Sequence, residues 1–320
     1  MTLTGSVPTP NLKEGDNREV AMIHKPIVVG FDGSSGSREA LEWALDAARL
    51  RGVAVEIMFA LDSATALVVP MYGYGGPSEE VLIKEAETIL ADGLAYAKSN
   101  APTVPVSTTL KQGSAVRALI AAGQHASVAV VGTRGLGTFS ELLLGSTSVQ
   151  LAAHGTCPTV VVRPATKEGY SGAQAGRVVV GIDGSGLAKQ ALGLGLAEAS
   201  LRGVGLTAVC AWDVPYLDLT GGRVGSMPSD LIASEDQEVR AMLGEIVAGW
   251  QERYPDVDIR REVVASKPVD ALVDASRGAE LLVVGSRGRG GFKALLLGSV
   301  SHAVLHHAQC TTAIVHPRGG

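Results

Sequence analysis

The stretch GTRGLGTFSELLLGS, Gly132 to Ser146, extends the apolar run VAVV and places three glycines in its first six residues before turning apolar again. Nearly the same phrase returns as GSRGRGGFKALLLGS, Gly285 to Ser299, after the run LLVV. Both copies keep Gly, two residues, Gly, nine residues and Gly-Ser. A short, β-branched apolar run reads as a buried strand, and the glycines as the loop that leads from it into a helix. A helix start presents amide N–H groups without partners and a partial positive charge, so it holds phosphate without basic side chains. Glycine in the preceding loop permits positive φ and lets oxygen atoms come close to the backbone. Gly132 and Gly135 therefore shape the loop, and Gly145 with Ser146 supplies an amide and a hydroxyl. Gly285, Gly288, Gly298 and Ser299 do the same in the second copy, with Arg134, Arg287 and Arg289 adding positive charge. A glycine triplet alone also serves any tight strand-to-helix turn; the recurrence of the whole spacing favours phosphate binding.

The repetition extends outward from this phrase. PIVVGFDGSSGSREALEWALDAARLRG, from Pro26, matches RVVVGIDGSGLAKQALGLGLAEASLRG, from Arg177, and both read as strand, turn and amphipathic helix. VAVEIMFALD and VGLTAVCAWD follow as strands, then Gly- and Pro-rich segments, Asp62–Ser78 and Asp213–Pro228, expected to be exposed loops. Each half continues with a helix (EEVLIKEAETILADGLAYAKS, EDQEVRAMLGEIVAGWQERY), an alternating strand, a shorter helix, the strand before the glycines, another helix and a last strand in PTVVVRP or TTAIVHP. The expected division is a mobile polar tail over 1–25 and two domains over 26–165 and 176–318. Strands alternating with helices predict an α/β fold with a parallel sheet wound on both faces, twice. Ligands in such sheets sit beyond the strand carboxyl ends where strand order reverses, which would put Asp32 and Gly132 on one site, and Asp183 and Gly285 on another. The apolar last strands would leave exposed edges, so the two halves are expected to pair through them.

Composition narrows the function. At 320 residues the chain suits two domains of ordinary size, and 46% hydrophobic with 18% charged residues is a globular profile. A net charge of -5 argues against a nucleic-acid partner, whose phosphates call for many Lys and Arg. Cys157, Cys210 and Cys310 are too scattered for a disulfide framework or a zinc site and fit a reducing cytoplasm. No apolar run has the length of a membrane span or a signal peptide.

The glycine spacing, joined to VVGFDGS and VVGIDGS at the starts of the repeats, resembles the ATP-binding branch of the universal stress protein family, in tandem arrangement. That resemblance implies two five-stranded, Rossmann-like sandwiches of the adenine nucleotide alpha hydrolase kind, ATP in each, and a further homo-oligomer or dimer. Carried over by position, the first site comprises Asp32, Gly33, Ser34, Ala60, Gly132, Gly135, Gly145, Ser146 and Ser148. The second comprises Asp183, Gly184, Ser185, Ala211, Gly285, Gly288, Gly298, Ser299 and Ser301.

Charge repulsion keeps Asp32 and Asp183 from touching phosphate directly, so ribose, adenine or a water-bridged Mg²⁺ are the partners expected of them; a turn or cap within DGS is the alternative. Ala60 and Ala211 leave room for a purine. His302 and His306, four apart on the last helix, read as a polar face rather than a metal site. The function expected is nucleotide-dependent regulation in the stress response, by binding rather than turnover, since no Walker lysine follows the glycines. A slow ATPase or adenylate-transferring enzyme, and an interaction module with empty pockets, are the alternatives.

Overall fold

A computed structural model describes residues 25–61, 78–133, 135, 144–164, 173–213, 217–219, 223–225, 229–289 and 296–317. Its first half runs β1 (Ile27–Gly30), α1 (Ser35–Arg51), β2 (Val55–Leu61), α2 (Glu79–Asn100), β3 (Val106–Gln112), α3 (Ala115–Gly123), β4 (Val128–Gly132), α4 (Ser146–His154) and β5 (Thr159–Val162). The second half repeats that order with one hairpin added: β6 (Val178–Gly181), α5 (Gly186–Arg202), β7 (Leu206–Trp212), β8 (Leu217–Leu219), β9 (Arg223–Gly225), α6 (Ser229–Gln251), β10 (Ile259–Ala265), α7 (Pro268–Ala275), β11 (Leu281–Gly285), α8 (Ser299–His307) and β12 (Thr312–Val315).

The strands form one ten-stranded sheet in the order β10-β7-β6-β11-β12-β5-β4-β1-β2-β3. Each half contributes five parallel strands, and the halves meet where β12 runs antiparallel to β5, with Ala313 opposite Val160. The two parallel sandwiches thus share a continuous sheet, and the apolar edges that would have invited foreign strands cover each other. Alternation along the strands sends Ile27, Val29, Val160 and Val315 to one core with α1, α2, α5 and α6. Val28, Val161 and Ile314 enter the other core, with α3, α4, α7 and α8.

Further contacts tie the halves together. Arg51 at the end of α1 forms a buried ion pair with Glu198 of α5. Arg202 reaches Glu198 at 3.2 Å and Glu280 at 3.0 Å, with its guanidinium 5.2 Å from the Trp43 ring centre. Arg163, just past β5, donates to the Leu305 carbonyl near the end of α8, and the Nε2 of His316, just past β12, lies 3.2 Å from the Thr159 hydroxyl.

Two expectations change. The segment Asp213–Pro228, expected as loop, contains the β8–β9 antiparallel pair. Helix α6 begins at Ser229 rather than at Glu235: the SDLIAS segment belongs to the same helix, with Asp230 favourably placed in its first turn. The corresponding first-half segment lies outside the described residues up to Pro77.

Candidate functional site

Strand order reverses at β1, which lies between β4 and β2, and at β6, which lies between β11 and β7. Each reversal opens a cleft beyond the strand carboxyl ends. The first cleft is about 360 Å³ and the second about 790 Å³.

The chain entering each cleft is built by the DGS triplet. Gly33 and Gly184 hold φ of 81° and 83°, in the left-handed region open to glycine. The preceding Asp32 accepts from the Ser34 amide at 3.0 Å and from its hydroxyl at 2.5 Å. Asp183 accepts from the Ser185 amide at 2.9 Å. Ser34 and Ser185 then cap α1 and α5, accepting from the Ser37 and Ala188 amides. Asp183 also accepts from the backbone amide of Arg289 at 2.9 Å, clasping the turn to the glycine-rich loop. Both carboxylates therefore fasten their turns, and Asp183 fastens the glycine-rich loop as well. Gly135 and Gly288 lie against them, since a Cβ would fall 2.5 Å from Asp32 Oδ2 and 2.6 Å from Asp183 Oδ2.

The opposite wall is the start of α4 or α8. Here the N-caps are Gly145 and Gly298, which have no side chain to cap the first amides. This contrasts with α1 and α5, whose ends are closed by serine. The Gly145 and Gly298 amides themselves donate to the Thr133 and Ser286 carbonyls at 2.7 Å, which fixes the loop. Ser148 and Ser301 donate to the carbonyls of Gly132 and Gly285, each at 2.6 Å, tying the helix to the strand end. Their single protons are spent on that tie, so the donors facing the clefts at these helix starts are the backbone amides and the Ser146 or Ser299 hydroxyl.

Of the residues expected from the sequence, Asp32, Ala60, Gly132, Gly135, Gly145, Ser146 and Ser148 line the first cleft. Asp183, Ser185, Ala211, Gly285, Gly288, Gly298, Ser299 and Ser301 line the second. Gly33, Ser34 and Gly184 stand behind the wall and shape it. Arg287 and Arg289 line the second cleft, while Arg134 falls outside the described residues. The apolar floor was not read from the sequence: Met58, Leu119 and Val131 in the first cleft, and Val209, Leu272 and Val284 in the second. The signal for it was the equal placement of apolar residues in the two repeats.

Among the described residues no group of three His, Cys, Asp or Glu could hold a metal ion, and His302 and His306 stack with ring centres 4.7 Å apart. The three cysteines are buried thiols; burial pushes Cys157 and Cys310 up to about 12. No helix among the described residues is long and apolar enough to cross a membrane.

The chain matches the family model described as the universal stress protein family twice, over residues 24–163 and 175–316. It is 36% identical over 304 residues to a universal stress protein of Mycolicibacterium smegmatis, covering 91% of this chain and 97% of that one. It is 37% identical over 290 residues to universal stress protein Rv2005c of Mycobacterium tuberculosis, covering 88% and 94%. Among solved structures, a universal stress protein from Archaeoglobus fulgidus superposes with a TM-score of 0.66 at 20% identity, covering 92% of this chain and 98% of that one.

Proposed function

Since this chain belongs to the universal stress protein family, we propose that it is a nucleotide-binding regulatory protein of the cytoplasm that holds ATP, with Mg²⁺, in the cleft of each repeat, 26–165 and 176–318. The observation that carries this reading is the contrast between helix starts. Those of α1 and α5 are closed by serine side chains, whereas those of α4 and α8, at the clefts, begin at glycines that provide no side-chain cap, which suits a phosphate as acceptor for their amides. Glycine lets the loop close onto the aspartate turn, since a Cβ at Gly135 or Gly288 would fall 2.5 Å from Asp32 Oδ2 or 2.6 Å from Asp183 Oδ2, and it leaves the loop backbone without a covering side chain. The apolar floors and the small Ala60 and Ala211 suit a purine. Mg²⁺ would arrive on the phosphates, with Asp32 or Asp183 reaching it through water.

Regulation rather than turnover is the reading we favour. Among the described residues lining either cleft, the only acid is an aspartate already engaged in its turn, and there is no histidine or lysine to act as a base. Occupancy would then be read by partners or by self-association of the chain.

Calorimetric titration of the purified, nucleotide-stripped chain with MgATP tests the proposal. Two sites per chain are expected, and the double variant Gly135→Val, Gly288→Val should give a flat isotherm while keeping its circular dichroism. A wild-type chain that takes up no nucleotide would remove the proposal. Multiple-turnover phosphate release abolished by the same double variant would favour the slow-ATPase reading instead.

A further inference from the structure

The two repeats are built on one plan, yet they differ in sequence at three matched positions whose second-repeat residues line the second cleft. Where the first repeat has Gly36, the second has Leu187, which lines its cleft. In the first repeat the α1 backbone closes on β4, so that a Cβ on Gly132 would collide with the Gly36 carbonyl; in the second, a Cβ on Gly285 would instead lie 3.0 Å from the Leu187 Cβ. The helix start is held farther from the strand end, consistent with a second cleft about twice the size of the first. Where the first repeat has Glu39, the second has Gln190 on the cleft wall. Where the first has Leu136, the second has Arg289, also on the wall. Arg289 puts a positive charge on the wall of the second cleft where the sequence of the first repeat has leucine, and a field of that sign draws and holds anions in proportion to their charge.

Arg289 is also poised. Its guanidinium lies over Gly184 and donates to the sulfur of Met242 in α6 at 2.7 Å. A thioether is a weak acceptor, so a phosphate oxygen offering a charge-assisted bond would displace it. The side chain is exposed, and its backbone is anchored by Asp183, so it can swing without disturbing the loop.

We propose that the second cleft is the site that reads phosphate number, with Arg289 contacting the terminal phosphates of a nucleoside polyphosphate. The first cleft binds the nucleoside and its nearest phosphate without distinguishing one phosphate from three. This rests on the nucleotide-binding reading above and adds a division of labour between the repeats.

The test titrates AMP, ADP and ATP, each with Mg²⁺, into the full chain carrying Gly135→Val, which leaves the second site, or Gly288→Val, which leaves the first. With only the second site open, ATP should bind at least about tenfold more tightly than AMP, as expected of an added charge-assisted contact. Adding Arg289→Leu should bring the two to near parity while AMP affinity stays unchanged. With only the first site open, the three nucleotides should bind nearly alike. The same ATP preference in both single-site proteins, or a preference that survives Arg289→Leu, would overturn the inference while leaving nucleotide binding standing. A wild-type chain that binds no nucleotide would overturn both. Should a valine variant misfold, Arg289→Leu and Leu136→Arg in the otherwise unaltered chain decide the matter: the first should erase the ATP preference of one site in a two-site isotherm, and the second should create it in the other.

Discussion

A single carboxylate does several jobs in each cleft. Asp183 accepts the Ser185 amide two residues on and the Arg289 amide from the loop after the neighbouring strand β11, at 2.9 Å each. Hydrogen bonds to a charged acceptor are among the stronger ones, and losing them leaves two amides to find other partners. Asp183→Ala is therefore expected to lower stability by about 1–3 kcal/mol and to weaken nucleotide uptake, with Asp183→Asn intermediate because it keeps one acceptor oxygen. Urea unfolding of the three proteins, alongside titration, checks this; an alanine variant as stable as the parent would show that the clasp carries little. The identity of Asp32 and Asp183 as important residues was legible in the DGS triplet. The fastening of the glycine loop by Asp183 was not, because Arg289 lies 106 positions away.

At the scale of elements, α1 and α5 show how the same helix can be fitted in two ways. Both are 17 residues long, start at a serine cap and end at a glycine with φ of 66°. Yet α5 has Gly195 where α1 has Ala44, and a Cβ on Gly195 would run into a methyl of the fully buried Val180 in β6. Two effects oppose each other in Gly195→Ala. Better helix propensity favours alanine by about 1 kcal/mol, while forcing a methyl into a filled core costs about 1–3 kcal/mol. Because Val180 sits within a four-residue strand paired on both sides, it has little room to yield, and net destabilisation of about 1 kcal/mol is expected by urea unfolding. Strand and helix order was legible from periodicity. The early start of α6 and the β8–β9 pair were not, because Gly- and Pro-rich composition hides short strands and polar helix starts alike.

The whole molecule depends on the seam between β5 and β12, and a histidine sits in it. His316 is buried next to Thr159, and its imidazole is held down to about 4 by burial, then by Arg287 and His154. A lowered value in the folded chain means that the unfolded chain binds the extra proton first as pH falls, so this contribution to stability is intact above about 6.5 and is lost on the way down to about 4. His306, lowered by burial and by His302, His307 and Arg163, acts in the same sense. Between pH 7.5 and pH 5 the loss assigned to His316 is about 2 kcal/mol, and His316→Gln should remove that part of the dependence. Denaturant unfolding at the two pH values reads it directly; an unchanged slope in the variant would assign the acid sensitivity elsewhere. Because Arg287 lines the second cleft and also faces His316, seam and cleft share one electrostatic neighbourhood.

The sequence by itself determined that there are two α/β repeats, that each carries a DGS turn and a spaced glycine phrase, and that the last strands are apolar enough to need cover. Those features are local: each is written within a few dozen neighbouring residues, through periodicity, turn chemistry and the room glycine leaves. Only the tertiary structure decided that ten strands make one sheet, that Ser148 and Ser301 spend their protons on strand-end carbonyls, that Met58 and Leu119 meet to form a floor, and that Arg289 rests on Met242. The reason is physical. Those outcomes depend on which distant side chains the packing of helices onto the sheet brings within a few ångströms, and no short window of sequence contains both partners.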